Sequence, residues 1–236
     1  MLLTAKHVLI VGGSSGIGFG AAQAALAQGA EVTIASRSRA KVETAVAQLG
    51  PKAQGQTLDI TDNAAIEAFF SGRPVFDHIV VSAAQTKVAA VRDLSLSDAM
   101  ASMESKFWGA YRVARAARIA PHGSLTFVSG FLALRPRKGT AIQAAINAAL
   151  EGLTRGLALE YAPVRVNAVS PGLVVTPMYD GLGGDSREAM FDGAAERLPV
   201  GIVGLPEHIA TQIMAFLLNP YMTGATVYVD GGGLLV

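Results

Sequence analysis

Residues 8–18 read Val8-Leu9-Ile10-Val11-Gly12-Gly13-Ser14-Ser15-Gly16-Ile17-Gly18. An apolar, β-branched run passes directly into a glycine loop. The loop then enters an alanine-rich helical stretch, Phe19 to Gln28. Strand, glycine turn and helix N-terminus in that order make an anion site. Unpaired N–H groups and the helix dipole face a pyrophosphate, and glycines without Cβ atoms let it approach. The glycines alone are weak evidence; the strand before them and the helix after them carry the reading.

Strand and helix signals alternate beyond this unit. Apolar runs at 7–11, 31–35, 54–58, 76–82, 124–129, 164–169 and 225–229 predict about seven strands. Helical patterns fall between them at 16–28, 39–49, 62–70, 97–119, 138–161 and 207–218. Near-continuous apolar strands separated by helices indicate a parallel sheet covered on both faces. The fold class is therefore α/β, a doubly wound parallel sheet with ligands at the carboxyl ends of its strands. No linker or repeat divides the chain, so 1–236 reads as a single domain. One long irregular stretch, about 172–205, is expected to form a substrate lid.

The 236 residues suffice for one sizeable core. There is no cysteine, which excludes disulfides, thiolate metal sites and a cysteine nucleophile. The four histidines lack metal-ligand spacing, so no metal is expected. A net charge of +1 gives no footprint for nucleic acid. No apolar run reaches about 18 residues, so no membrane span is expected. The N-terminus shows no signal-peptide cleavage pattern, which makes the cytoplasm the expected location.

The second strand bears on cofactor choice. It ends in Ser36-Arg37-Ser38, where an NAD site places an acid on the ribose 2′-hydroxyl. A guanidinium beside the 2′ position suits a 2′-phosphate and stacks on adenine. The expected cofactor is NADP(H), with NAD(H) second. After the third strand, Asp59 is placed to accept from the adenine amino group and Ile60 to cover the ring; an acid there also serves as a helix cap.

These motifs together resemble the short-chain dehydrogenase/reductase family over nearly the whole chain. Gly12-x-x-x-Gly16-x-Gly18 matches its glycine motif, with Val11 for the usual threonine, and Asp59 matches its adenine-site acid. Ser82-Ala83-Ala84 stands in the family's Asn-Asn-Ala-Gly segment, a partial match. Asn167-Ala168-Val169-Ser170-Pro171-Gly172, with Val174 and Thr176-Pro177, matches the segment that holds the nicotinamide carboxamide. Val229-Asp230-Gly231-Gly232 matches the carboxyl-terminal motif. The resemblance implies a Rossmann-type fold and a cofactor site formed by Gly12, Ser14, Ser15, Gly16, Ile17, Gly18, Ser36, Arg37, Ser38, Asp59, Ile60, Ser82, Ala83, Ala84, Pro171, Gly172, Val174 and Thr176. It also implies a homodimer or homotetramer built on helices 97–119 and 138–161.

The chain departs from the family at the chemistry. The family transfers protons with Asn, Ser, Tyr and Lys. Alignment on Leu150-x-Gly152-Leu153-Thr154 sets Gln143 at the tyrosine, Asn147 at the lysine and Gly130 at the serine, and Lys106-Phe107-Trp108-Gly109 sets Lys106 at the asparagine. Glutamine hydrogen-bonds a substrate oxygen but delivers no proton at neutral pH. Asparagine and lysine have thus exchanged places. Buried beside Phe107 and Trp108, Lys106 is expected to have a lowered pKa and to act as the acid above the nicotinamide, with Gln143 and Asn147 opposite. A solvated lysine is the plain alternative. Tyr179, in the expected lid, is the fallback acid. Ser129 is expected to face away, and Arg135 and Arg137 flank the site in a loop. Two functions follow: an NADP(H)-dependent oxidoreductase acting on a small carbonyl or alcohol substrate, or a non-catalytic NADP(H)-binding sensor or assembly protein.

Overall fold

The computed structural model describes residues 2–236. Seven strands form one parallel sheet: β1 (His7–Val11), β2 (Glu31–Ser36), β3 (Ala53–Thr57), β4 (Phe76–Val81), β5 (Ile119–Val128), β6 (Arg165–Pro171) and β7 (Thr226–Val229). Their order is β3-β2-β1-β4-β5-β6-β7. The order reverses between β1 and β4, so a crevice opens at the carboxyl ends of those two strands.

Alternation along β1 shows why both faces must be covered. Val8 and Ile10 join one core with α1 (Gly16–Ala27), α2 (Arg39–Leu49) and α8 (Pro206–Leu218). Leu9 and Val11 join the other with α3 (Asn63–Ser71), α5 (Gly109–Ala116) and α6 (Ala141–Glu160). Successive strand side chains point to opposite faces, so a strand apolar at every position requires a helical layer on each. Each fully buried Leu, Ile or Val contributes about 1.5–3 kcal/mol. The alanine content has a local use here. Ala21, Ala22 and Ala25 are fully buried on α1, and small side chains bring it close to α8.

Two elements differ from the sequence expectation. The stretch 172–205 is not irregular: it holds a 3₁₀ turn, Pro177–Tyr179, and a helix, α7 (Gly184–Ala195). The first of the two long helical segments, 97–119, is interrupted. After α4 (Leu96–Met103) comes a π-helical turn, Glu104–Trp108, and α5 then ends at Ala116, short of 119. A π-turn re-aims the side chains on its bulge and is frequent at functional sites. Lys106 is its central residue. No helix among the described residues is long and apolar enough to cross a membrane.

Candidate active site

The glycine loop joins β1 to α1 and is shaped by lack of space. Gly12 adopts φ +90°, and a Cβ there would lie 2.5 Å from the Ala83 nitrogen. A Cβ on Gly18 would lie 2.2 Å from the Gly12 carbonyl oxygen. The loop thus packs against the turn after β4, where Ser82 and Ala83 both donate backbone N–H groups to the Val11 carbonyl, at 2.8 and 3.1 Å. Ser15 occupies the N-cap of α1, yet its side chain makes no cap hydrogen bond. The helices α2, α3 and α4 cap themselves with Ser38, Asp62 and Ser95. The first N–H groups of α1 therefore stay available, beside a loop that excludes side chains, and this fits a dinucleotide pyrophosphate.

Several of the residues that the resemblance implies for a cofactor lie around this loop, with two differences. Ser14 donates its hydroxyl to Ser36 at 3.0 Å, which ties the loop to the end of β2. Arg37 follows there, exposed. Ser38 is spent on capping α2. Ser14 also lines a cavity of about 330 Å³ with Ala40, Lys41 and Thr44. Lys41 is a second cation near this edge that the sequence did not single out. Asp59 uses Oδ1 to hold Thr61, from its N–H at 2.9 Å and its hydroxyl at 2.8 Å; the cap of α3 is Asp62. Ile60 corrects the expectation. It is buried against Gly109 of α5 and has no face left to cover an adenine ring. Beyond β6, Thr176 lies 3.3 Å from the Cβ position of Gly16, so the segment after Pro171 and Gly172 closes on the glycine loop. Val174 is a core residue whose strand-like bridge to Gly204 fixes that segment.

The polar centre lies at the ends of β5 and β6, under α6. The Lys106 ammonium donates to Asn147 Oδ1 at 2.7 Å and to the Ser129 carbonyl at 2.8 Å. Lys106 and Asn147 are therefore a bonded pair, where the sequence set them opposite one another. Burial pushes the Lys106 pKa down from 10.5 to about 8, and the Glu151 charge partly offsets it. The burial comes from α6 and β5. Trp108 turns outward, edge-on to Phe107 and Tyr111, and is 44% exposed. A Cβ on Gly130 would lie 2.7 Å from Asn147 Nδ2, so Gly130 makes the room that Asn147 fills.

Gln143 is placed differently from expectation. Its amide nitrogen donates to the Lys87 carbonyl, and its buried oxygen has no hydrogen-bond partner among the described residues. It pins the loop after β4 to α6. Ser102 and Ser105 hold the same loop from the other side, through Lys87 N and Gln85 N. Ser129, expected to face away from the site, instead turns to α6: its hydroxyl lies within hydrogen-bond reach of the Asn147 carbonyl and the Glu151 carboxylate. Tyr179 packs edge-on against Phe191 of α7, and burial raises its phenol pKa, which makes it a weaker acid. Arg135 is spent on the Gly233 carbonyl. Glu151, 6% exposed, is the one central residue that sequence reading passed over. Its spacing of four from Asn147 was the available signal.

A parallel sheet with a glycine-built anion loop at its switch point defines a dinucleotide-binding α/β protein. The family model described as enoyl-(acyl carrier protein) reductase matches residues 11–233. The short-chain dehydrogenase/reductase ucsE of Acremonium is 32% identical, covering 99% of this chain and 97% of that protein. Among solved structures, a small-chain dehydrogenase in complex with NADPH is 37% identical, with a TM-score of 0.87 over 98% of this chain and 99% of its own. The MalC reductase/Diels-Alderase of Malbranchea aurantiaca is 29% identical, with a TM-score of 0.92, covering 100% and 98%. The chain belongs to the short-chain dehydrogenase/reductase family.

Proposed function

We propose that the protein is an NADP(H)-dependent oxidoreductase that interconverts a small carbonyl compound and its alcohol, with Lys106 as proton donor. The observation that carries this reading is the Lys106 ammonium, fixed by Asn147 and Ser129 with its pKa lowered to about 8. A lysine so held is mostly protonated at neutral pH and yields its proton more readily than a free one. When bound, the nicotinamide supplies or accepts hydride. Lys106 gives its proton to the substrate oxygen as the carbonyl is reduced, and regains one from water. Asn147 and Ser129 hold the ammonium in place during that step. The glycine loop and the α1 N-terminus bind the pyrophosphate. The direct test is loss of NADPH absorbance over a panel of aldehydes, ketones, diketones and imines. Turnover of a carbonyl member is expected; NADPH binding with no turnover across the panel rejects the reading.

That outcome would favour a second reading, a non-catalytic NADP(H)-binding sensor or assembly protein. Gln143 supports it, since its amide is occupied by the Lys87 carbonyl and offers no proton.

NADP(H) preference rests on Arg37, exposed beside Ser36 at the end of β2. Arg37→Ala is expected to weaken NADPH several-fold and leave NADH nearly unchanged, because only NADPH carries the 2′-phosphate. Titration of both cofactors checks this; equal losses would show that Arg37 does not read the phosphate.

The protein is also expected to be a homodimer or homotetramer through the segment 96–116 and α6. Leu96, Met100, Trp108 and Tyr111 expose apolar surface on that segment, as does Leu159 on α6. Sedimentation at micromolar concentration should show a multiple of 24.3 kDa. A monomer alone would reject this, since an interface of standard size holds at that concentration.

A further inference from the structure

On α6, Gln143, Asn147 and Glu151 are spaced by four and share one stripe of the helix. The first two were considered above; Glu151 has no part in the chemistry described so far. Its carboxylate is buried, and no cation lies within ion-pair distance of it among the described residues. Three hydroxyls satisfy it. Ser129 and Ser170 donate to Oε1 at 3.0 and 3.2 Å, and Tyr228 donates to Oε2 at 2.8 Å. A buried charge costs free energy unless something compensates it, and hydroxyl donors alone compensate it only in part.

Ser129 shows where the remaining compensation lies. Its hydroxyl binds Glu151, and its carbonyl accepts from the Lys106 ammonium at 2.8 Å. Asn147 is the other acceptor of the ammonium, through Oδ1; its backbone carbonyl, 3.2 Å from the Ser129 hydroxyl, competes with Glu151 for that single proton. Ser129 therefore stands between the half-buried Lys106 ammonium and the buried Glu151 carboxylate.

We infer that Glu151 is the counter-charge of Lys106, a positioning residue that keeps the ammonium protonated and seated on Asn147 and Ser129. Its catalytic consequence rests on the reading of Lys106 as proton donor; the charge pairing stands apart from it. Arg155, one turn beyond Glu151 on α6, is exposed and forms no ion pair with it among the described residues, though its charge reaches Tyr228; Glu104 and Lys87 are engaged elsewhere. Glu104, on the same π-turn as Lys106, pairs with Arg112. Lys87, in the loop above α6, pairs with Asp98. Tyr228 lies behind Glu151 on β7, and burial with the Glu151 contact pushes its phenol up to about 12, so it stays a neutral donor. The Glu151 charge acts on Lys106 in the raising direction, against burial.

The test is an NMR titration of the intact protein with isotope-labelled lysine, the Lys106 side-chain signal being the one absent from Lys106→Met. Glu151→Gln should lower the Lys106 pKa by about one unit, a tenfold loss of ammonium relative to amine at a given alkaline pH. Glu151→Asp, which retains the charge, should return most of it. An unmoved titration in folded Glu151→Gln would overturn the inference and leave Glu151 as a clamp joining α6 to β6 and β7. Should Glu151→Gln not fold, the native protein with labelled glutamate decides. The Glu151 carboxyl signal should step at the pH where Lys106 titrates, and a flat signal overturns the pairing. If the Lys106 titration moves while the alkaline limb of turnover does not, the charge pairing stands and Lys106 is not the proton donor.

Discussion

Lys106→Met is expected to lower turnover by about 10²-fold or more while leaving NADPH affinity nearly intact. The two effects separate because the residues that would bind the pyrophosphate lie at the end of β1 and the start of α1, whereas Lys106 sits on the π-turn against α6. Methionine keeps the unbranched length but removes the donor and leaves Asn147 Oδ1 and the Ser129 carbonyl without their shared partner. The pH dependence carries a sign. Only the ammonium donates, and burial has lowered its pKa to about 8. The rate of carbonyl reduction should therefore hold at neutral pH and fall as pH rises through about 8. A free lysine would hold its rate some two units higher, near its ordinary value of about 10.4. Full activity of Lys106→Met would sink the proposal and move the proton to water or Tyr179. Tyr179→Phe then separates those two, because burial already makes that phenol a reluctant donor.

What the sequence revealed and what it hid divide by the range of the interaction. The glycine loop was legible because its determinants lie within a few residues: an apolar strand, glycines where Cβ atoms would strike the backbone, and a helix start. The central strands were legible because apolar runs in a parallel sheet are nearly unbroken, as the burial of β1, β4 and β6 shows, whereas the edge strand β3, Ala53–Thr57, is polar and only partly buried. The helix α7 was hidden by Gly183, Gly184 and Gly193, which read as loop punctuation although its buried side, Phe191 and Ala194, packs inward. The π-turn had no signal: Glu104 to Trp108 has nothing in its residue types that distinguishes it from the α-helix on either side. Ile60 was placed by its neighbour Asp59, and only its contact with Gly109 shows that it faces the core. The resemblance alone sets Lys106 and Asn147 at each other's family positions. That the two bond to each other across 41 positions could not be read from it, because that bond depends on how the π-turn meets α6.

Gly130, which the resemblance sets at the family's serine, follows from the same pair. Its backbone, at φ 167° and ψ 140°, is extended and open to any residue, so the constraint is space alone. A Cβ there would stand 2.7 Å from Asn147 Nδ2 and 3.3 Å from its Cγ. Asn147 is 4% exposed, and Lys106 holds its oxygen, so the amide cannot swing away without breaking that bond. Gly130→Ser alone is therefore expected to destabilise the fold by about 1–3 kcal/mol, the range for overpacking a filled site. Asn147→Ala in the same chain should relieve the clash, so that the double variant loses less than the two single losses added together. A coupling of about 1 kcal/mol or more in urea unfolding is the expected result; strict additivity would show that Gly130 and Asn147 do not share the space assigned to them. The same reasoning predicts how the site can be converted. Serine at 130 becomes compatible only when Asn147 changes with it, and a lysine at 147 would then meet Lys106. Gly130→Ser, Asn147→Lys, Lys106→Asn and Gln143→Tyr should work as a set and fail singly. Carbonyl reduction by the fourfold variant, whose alkaline limb no longer follows the Lys106 titration, would show that the scaffold holds hydride geometry and that only the acid differs. A fourfold variant that folds, binds NADPH and stays inert on the whole panel would instead make the non-catalytic reading the better account of this chain.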